Sequence, residues 1–268
     1  MSLSAEPTSG LPETPERAEG SSWRGIGEQL QTLAIAVLLA LAIRAFLIEP
    51  YRIPSESMLP TLMVGDHLFV NKFVYGVPLP FVDRRLPGLR APERGDVVVF
   101  SVAKDGYEIH PTDQRPELPR ESFVKRIVGV PGDRIEVRGE TVLRNGEPLS
   151  QERTGETLHD EVGRQLQVVR EAVGERQYRV AYDAERPGLA GEFLVEPGRY
   201  FVMGDNRDDS NDSRKWGTVR EEDLKGPAFL LYWSWDWNGG WSELLSPATW
   251  WTLLSERMRW ARIGDSIR

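Results

Sequence analysis

The longest apolar stretch of the chain lies near its amino terminus, from Leu30 to Ile48, and Arg44 is its single charge. At 1.5 Å per residue, a helix of this length just crosses a hydrocarbon core of about 30 Å. A buried core helix and a cleaved signal peptide share this pattern. A signal peptide, however, ends at small residues, whereas this stretch ends in Ile48-Glu49-Pro50. We therefore predict an uncleaved transmembrane anchor over residues 28–48, preceded by a disordered polar tail over residues 1–27.

Beyond the anchor, short apolar runs alternate with turn residues, which is typical of β-strands. The segment 134–198 continues this pattern with a higher content of charge, and Asn145-Gly146 is a strong hairpin signal within it. We interpret this segment as an inserted β subdomain. The clearest apolar runs outside it start at His67, Val97, Ser122 and Arg199.

Composition narrows the classes of function. A hydrophobic content of 40% and a charged content of 28% are typical of globular proteins, and a net charge of -8 gives no general attraction to nucleic acid. The chain has no cysteine, which excludes disulfides, a thiol nucleophile and a cysteine-ligated metal. Its three histidines, His67, His110 and His159, lack the spacing of a zinc motif. We expect no nucleic-acid partner, no metal and no cofactor.

Two serines, Ser55 and Ser57, stand between Pro54 and Pro60 shortly after the anchor. Proline fixes φ and lacks a backbone donor, so this segment is a defined loop outside helices and central strands. A hydroxyl on such a loop is a candidate nucleophile, although Ser-rich loops with proline are more often simple turns. The chain from Ile48 to Ser57 spans at most about 30 Å at roughly 3.3 Å per residue, so the loop lies close to the bilayer surface.

Lys125 is the candidate general base. Alternate side chains of a strand share a face, so Lys125 lies with Phe123 and Ile127. An ammonium between apolar neighbours loses hydration, which lowers its pKa and favours the neutral form that a lysine base requires. The alternative, which is the commoner case, is a strand lysine whose ammonium reaches water.

The most concentrated polar loop runs from Gly204 to Arg214. Asp208, Ser210 and Asp212 have the first three spacings of a calcium-binding EF-hand, but Val219 stands where the terminal glutamate is required. We therefore interpret the loop as a network of Asx turns that fixes the position of one hydroxyl, without the pattern deciding which one.

Three separated segments resemble, in the same order, the conserved boxes of bacterial type I signal peptidases, a family with a serine/lysine dyad. They are Pro54 to Leu62, Lys125 to Asp133, and Gly204 to Arg214. Arg94-Gly95-Asp96 is similar to a fourth box, and Arg259 to Gly264 is similar to the usual carboxyl-terminal ending.

The resemblance implies a mainly β fold. A signal-peptidase-like catalytic core would comprise residues 49–133 and 199–268, with the small inserted β subdomain at residues 134–198. One transmembrane α-helix would precede this core.

The resemblance also assigns residues to roles. Ser57 matches the nucleophile, Lys125 matches the general base, and the hydroxyl of Ser55 matches the group that joins the backbone N–H of Ser57 in the oxyanion hole. Ser210 matches the residue that orients the lysine, while Asp212 and Arg214 match its supporting salt bridge.

The function implied is that of a membrane-bound serine endopeptidase. It would remove signal peptides from secreted preproteins by cutting after small residues of the A-x-A type, through an acyl-enzyme. Its partners would be signal peptides and the lipid bilayer, and we expect a monomer. Basic residues near the two ends of the anchor do not decide its orientation. The resemblance implies a single-pass protein of the cell membrane with its catalytic part on the extracytoplasmic, periplasmic side.

Other readings fit less well. The self-cleaving repressors of the DNA-damage response share a serine/lysine dyad, but they need a DNA-binding domain and no anchor. Ser101 and Lys104 fit the S-x-x-K motif of penicillin-binding proteins, which must open a helix, whereas here the motif follows a valine-rich strand. A membrane-tethered β module without catalysis would have little reason to keep Ser57, Lys125 and Ser210 together.

Overall fold

The computed structural model describes residues 21–76, 86–106, 108–111, 117–186, 188–236 and 246–267. The chain divides into an amino-terminal unit, Met1–Ile43, and a larger unit, Arg44–Arg268. Most of the predicted disordered tail lies outside the described residues.

The amino-terminal helix, α1, runs from Ser21 to Phe46. Within it, Ile26–Arg44 has a mean hydropathy of 1.8, and it is the one segment among the described residues that is long and apolar enough to cross a membrane. Its leucines are exposed, Leu38 by 66%, which is the reverse of what a buried core helix requires. The helix begins earlier than the predicted anchor and takes in the end of the predicted tail.

The larger unit is built mainly from β-strands, as predicted. Two short helices, α2 (Ser213–Trp216) and α3 (Pro247–Thr252), belong to it as well. The strands in chain order are β1 (Ile48–Arg52), β2 (Asp66–Asn71), β3 (Val97–Asp105), β4 (Glu108–His110), β5 (Arg120–Gly129), β6 (Arg134–Arg138), β7 (Thr141–Arg144), β8 (Glu147–Pro148), β9 (Ser150–His159), β10 (Gln165–Val173), β11 (Arg176–Asp183), β12 (Ala190–Leu194), β13 (Arg199–Met203), β14 (Val219–Arg220) and β15 (Leu224–Ser234).

The main sheet has eight strands in the order β1-β2-β15-β3-β5-β13-β14, with β4 paired to β3. Its neighbours are all antiparallel. Strands β6 to β12, which fall in the segment interpreted as an insertion, form two smaller sheets, β11-β10-β9 and β12-β6-β7-β8.

The insertion shares a hydrophobic core with the main sheet. Val128 and Phe201 of β5 and β13 pack in one buried cluster with Ile135, Val173 and Tyr178 from the insertion. Apolar burial is the dominant favourable term in folding, so a shared cluster ties the two parts into one folding body. Residues 134–198 thus share a core with the main sheet, and their description as an inserted subdomain stays a prediction.

A second apolar cluster lies below the loop that carries the candidate nucleophile. Met58 and Leu62 of the loop are buried there with Val97 and Val99 of β3. Strand β3 reads Val-Val-Val-Phe at its start and is buried at every one of these positions, as a central strand covered on both faces requires. The loop is thereby anchored on the most buried strand of the sheet.

Candidate active site

The loop that carries Ser57 is held by hydrogen bonds and by burial. Residues Glu56–Met58 form one turn of 3-10 helix, which Leu59 closes by donating its N–H to the Glu56 carbonyl at 3.0 Å. The N–H of Leu62 bonds the Met58 carbonyl at 2.9 Å, and Met58 is only 1% exposed. The predicted rigid loop is present, with Met58 as its apolar anchor.

Lys125 reaches the hydroxyl of this loop. Its Nζ atom lies 2.6 Å from Oγ of Ser57, and the side chain is 3% exposed. Burial lowers the pKa of Lys125 to about 8, although the carboxylates of Asp212 and Asp205 act in the opposite direction. The ammonium therefore does not reach water, and a substantial fraction of the lysine is neutral near pH 8.

A buried carboxylate lies behind the lysine. Asp212 caps α2 and accepts hydrogen bonds from the N–H of Gly204 at 2.9 Å and from the Arg214 guanidinium at 2.7 and 2.8 Å. Burial alone would raise the pKa of Asp212, but Arg214 and the Gly204 N–H hold it below its ordinary value. Asp212 is therefore charged at neutral pH, and Arg214 shares its charge.

Ser210 packs closely against Gly204, so that residue 204 has to be glycine. A Cβ atom on Gly204 would stand 2.3 Å from Oγ of Ser210 and 2.4 Å from the Ser57 carbonyl oxygen. The Ser210 hydroxyl is buried and makes no hydrogen bond of regular geometry among the described residues, although it contributes to the lowered pKa of Asp212. Its role in orienting the lysine therefore stays a prediction.

Ser55 stands beside the nucleophile at the open side of the site. Its Oγ lies 3.4 Å from Oγ of Ser57, which is long for a hydrogen bond between hydroxyls. The residue is exposed. Its oxyanion-hole role remains a prediction.

Four further residues support the site, and the sequence alone gave them no role. Arg126 and Asp205, both 0% exposed, form a double hydrogen bond at 2.7 and 2.8 Å, and Thr61 of the serine loop donates to Asp205. Asn206 holds the loop by two bonds, from its side-chain amide to the Glu56 carbonyl at 3.3 Å and from its N–H to the Ser57 carbonyl at 3.2 Å. All four residues lie within the segments that resemble the conserved boxes of the family. The sequence signal that could have indicated a buried ion pair is Arg126, an arginine within an otherwise apolar strand.

Comparison with known proteins decides the family. The family model described as signal peptidase, peptidase S26, matches residues 26–233. The chain belongs to this signal peptidase family. It is therefore a serine peptidase and a hydrolase, and the predicted resemblance is confirmed.

Named relatives agree with the family assignment. Signal peptidase I of Pseudomonas fluorescens is 37% identical over 210 residues, which cover 74% of this chain and 69% of the relative. Signal peptidase I of Pseudomonas aeruginosa is 36% identical over 219 residues, with coverage of 74% and 69%. Signal peptidase I of Leptolyngbya laminosa is 32% identical over 240 residues, covering 86% of this chain and 93% of the relative.

A second buried ion pair joins the insertion of this signal-peptidase-family chain to the polar loop. Arg207 and Glu171, 1% and 0% exposed, bond through both guanidinium amino groups. Tyr178 donates to the same carboxylate at 2.7 Å, and its ring lies 4.0 Å from the Arg126 guanidinium carbon. The two ion pairs are thus connected, and the insertion helps to hold the loop that contains Ser210.

Two other groups of residues bear on chemistry different from that of a serine/lysine dyad. Ser101 and Lys104 are both inside strand β3, so the S-x-x-K spacing does not open a helix. Among the described residues, one acidic group has metal-like spacing, formed by Glu56, Asp160 and Asp209. The guanidinium of Arg164 already bonds two of these carboxylates, Asp160 and Asp209.

Proposed function

We propose that this protein is a membrane-bound serine endopeptidase that removes N-terminal signal peptides from exported preproteins, with Ser57 as nucleophile and Lys125 as general base. The observation that carries the proposal is the contact of 2.6 Å between Nζ of Lys125 and Oγ of Ser57. A base within hydrogen-bond reach of a nucleophile, and with a pKa near the working pH, satisfies both requirements of proton transfer.

Acylation would begin with a neutral Lys125. Ser57 Oγ attacks the carbonyl carbon of the residue before the cut while Lys125 takes the hydroxyl proton. The resulting ammonium then gives this proton to the leaving amine as the peptide bond breaks. The signal peptide remains attached to Ser57 as an ester, and the mature protein leaves with a free amino terminus.

The oxyanion would be stabilised by the backbone N–H of Ser57 and the hydroxyl of Ser55. The distance of 3.4 Å between the two serine hydroxyls is consistent with Ser55 turning toward an oxygen bound at Ser57. Losing one donor of this kind typically lowers the rate by about 10²- to 10³-fold. We therefore expect Ser55→Ala to reduce kcat with little change in KM.

Deacylation would reuse the same base. Lys125, neutral again after it has protonated the amine, takes a proton from water, and the hydroxide oxygen attacks the ester carbon. The ester bond breaks, Ser57 recovers its proton from Lys125, and the signal peptide leaves with a carboxylic acid end, which ionises in water.

Selection of small residues is supported by the surface next to Ser57. Ile53 and Met58 are 2% and 1% exposed, and Val124 packs against the same apolar cluster. A floor of buried apolar side chains favours a small apolar residue, because protein interiors yield only slightly to extra volume. This floor fits an alanine directly before the cut, as in A-x-A sites.

Backbone pairing would hold the substrate in place. Among the described strands, β1 pairs only with β2, and residues 120–125 of β5 pair only with β3. Both therefore present unpaired edges, to which an extended peptide adds by β-augmentation. From the likeness to the signal peptidase family, we place the catalytic part on the extracytoplasmic, periplasmic side of the cell membrane, behind a single membrane span.

Cleavage of a synthetic preprotein by the full-length protein in detergent tests the proposal. Wild type should cut after the A-x-A site, and Ser57→Ala and Lys125→Ala should each abolish cleavage without loss of folding by circular dichroism. Lys104→Ala is the matched control, because Lys104 is a strand lysine outside the site. A folded but inert wild type, or full activity of Lys125→Ala, would refute the dyad.

The orientation has its own test, because the chain contains no cysteine. Ser150→Cys places one thiol at an exposed position of β9. A membrane-impermeant maleimide should label it in intact spheroplasts. Labelling only after lysis would reverse the proposed topology.

A further inference from the structure

A lysine from a third strand connects the two unpaired edges. The Nζ atom of Lys225, on β15, donates to Oη of Tyr51 on β1 at 2.8 Å and to Oγ of Ser122 on β5 at 3.0 Å. The carboxylate of Glu49, also on β1, lies 4.0 Å from the same ammonium. The cation therefore lies between the strands that would border a bound peptide.

A β-bulge in β15 sets the direction of the Lys225 side chain. Leu224 pairs with Phe100 of β3 and Gly226 pairs with Val99, so Lys225 is the extra residue of a β-bulge. Gly226 has a φ of +157°, and a Cβ atom there would lie 2.2 Å from the carbonyl oxygen of Asn71. Bulges redirect side chains and are common beside active sites. The backbone at this bulge thus requires glycine at position 226.

Strand geometry gives the position of the Lys225 ammonium relative to a bound peptide. Ser122 and Val124 point to the same face of β5, two residues apart, or roughly 7 Å at 3.3 Å per residue. Val124 belongs to the apolar cluster beside Ser57, where the residue before the cut would bind. In an extended peptide, the side chain two residues further back faces the same way, so the third residue before the cut meets Ser122, Tyr51 and Lys225.

We propose that Lys225 is a specificity-determining residue that restricts the third residue before the cut to small side chains. This inference rests on the proposed function. The ammonium and its two hydroxyl partners form a polar wall at this position. A methyl group leaves the wall intact, whereas valine or leucine has to displace the ammonium from its acceptors or pack against a charged group.

Kinetics with matched peptides test this inference. Three peptides carry Ala, Val or Leu at the third residue before the cut, with Ala fixed at the last. We expect wild type to cut the Ala peptide at least about 100-fold better than the Leu peptide in kcat/KM. Lys225→Ala should reduce this ratio by about tenfold or more, mostly through the KM of the Leu peptide, and Lys225→Met should reduce it less.

A second peptide series separates selectivity from general damage. It varies the last residue before the cut and keeps Ala at the third. Both Lys225 variants should retain the wild-type ratios in this series, because the last residue before the cut would bind beside Val124 and not beside Lys225. Lys104→Ala, which removes another strand lysine in an ion pair, should leave both series unchanged.

Two outcomes would overturn the inference. An unchanged Ala-to-Leu ratio at the third residue in both folded variants would show that Lys225 does not select. A parallel loss with all peptides would show that the lysine acts only in folding. If wild type cuts no peptide at all, the proposed function itself fails, and that result is recognisable before any variant is compared.

Discussion

Two consecutive basic residues of β5 are both buried, but they have different partners. Lys125 and Arg126 are 3% and 0% exposed, and they point to opposite faces of the strand. Arg126 is matched by the carboxylate of Asp205 through two hydrogen bonds, whereas Lys125 bonds the neutral hydroxyl of Ser57. Burial is thus nearly the same on the two faces, and the difference lies in the partner.

The partner decides the protonation state. Burial disfavours the charge of Arg126, but the adjacent carboxylate of Asp205 raises the pKa of the guanidinium above its ordinary value. Lys125 lacks a direct carboxylate, so burial prevails and its pKa falls to about 8. One face of the strand therefore holds a permanent structural charge, and the other holds a base that releases its proton near neutral pH.

Lys125→Met should give the largest effect and separate activity from stability. We expect peptide cleavage to fall by at least about 10⁴-fold because the general base is lost. Unfolding by urea at pH 7 should show a gain of about 1 kcal/mol, since a buried charge without a carboxylate partner has been removed.

The gain in stability has a defined pH window. The folded pKa of about 8 lies below the ordinary unfolded value, so the wild-type protein becomes more stable as pH rises from 8 towards that value. The advantage of Lys125→Met should therefore shrink over this range. If Lys125→Met is much less stable than wild type at pH 7, the interpretation of Lys125 as a buried charge without a carboxylate partner is wrong.

Asp205→Ala should have the opposite consequence for stability. It leaves Arg126 buried without its carboxylate and removes the acceptor of Thr61, so we expect a loss of about 3–5 kcal/mol in the free energy of unfolding. Chemical denaturation measures this loss. A loss below 1 kcal/mol would mean that water or another group compensates Arg126.

Asp212→Asn should change the pH profile of the lysine face. The negative charge of Asp212 raises the pKa of Lys125, and the freed charge of Arg214 lowers it. The midpoint of the kcat/KM profile should therefore move below 8, by about one pH unit. Asp105→Asn, at an exposed strand end, is the control and should leave the profile in place. A shift to higher pH would contradict the assignment of Asp212 as the neighbouring charge.

Arg170→Ala should give the smallest effect. Arg170 pairs with Glu152 on the surface of the insertion, where the two side chains are 46% and 68% exposed. An exposed ion pair contributes little, so the free energy of unfolding should change by less than about 0.5 kcal/mol. A loss in the free energy of unfolding as large as that of Asp205→Ala would show that burial does not explain the difference between the Arg170–Glu152 and Arg126–Asp205 pairs.

The sequence predicted the parts of the site that depend on local pattern. Pro54 and Pro60 indicated a fixed loop, and the alternation around Lys125 indicated apolar neighbours and a lowered pKa. The mainly β class followed from the resemblance, and the structure confirms it. These features are properties of short segments, which a sequence displays directly.

Long-range partners could not be predicted in this way. Asp205 is the partner of Arg126, and Glu171 is the partner of Arg207, but each pair joins residues far apart in sequence, and many other charges could have paired equally well. The same holds for Lys225, whose direction depends on a bulge that Gly226 permits. The shared core of insertion and main sheet also depends on packing that no local pattern records.

The central claim is that Lys125 is the neutral base of Ser57, and direct titration of this lysine tests it best. The chain has five lysines, so labelling with [13C]lysine gives few signals, and Lys125→Met identifies the one that belongs to Lys125. NMR of the full-length Ser57→Ala protein in detergent would follow the side-chain shift from pH 6 to 11. We predict a midpoint at about 8. A midpoint above 10 would contradict the account, because the lysine would then be charged at the pH at which it has to accept a proton.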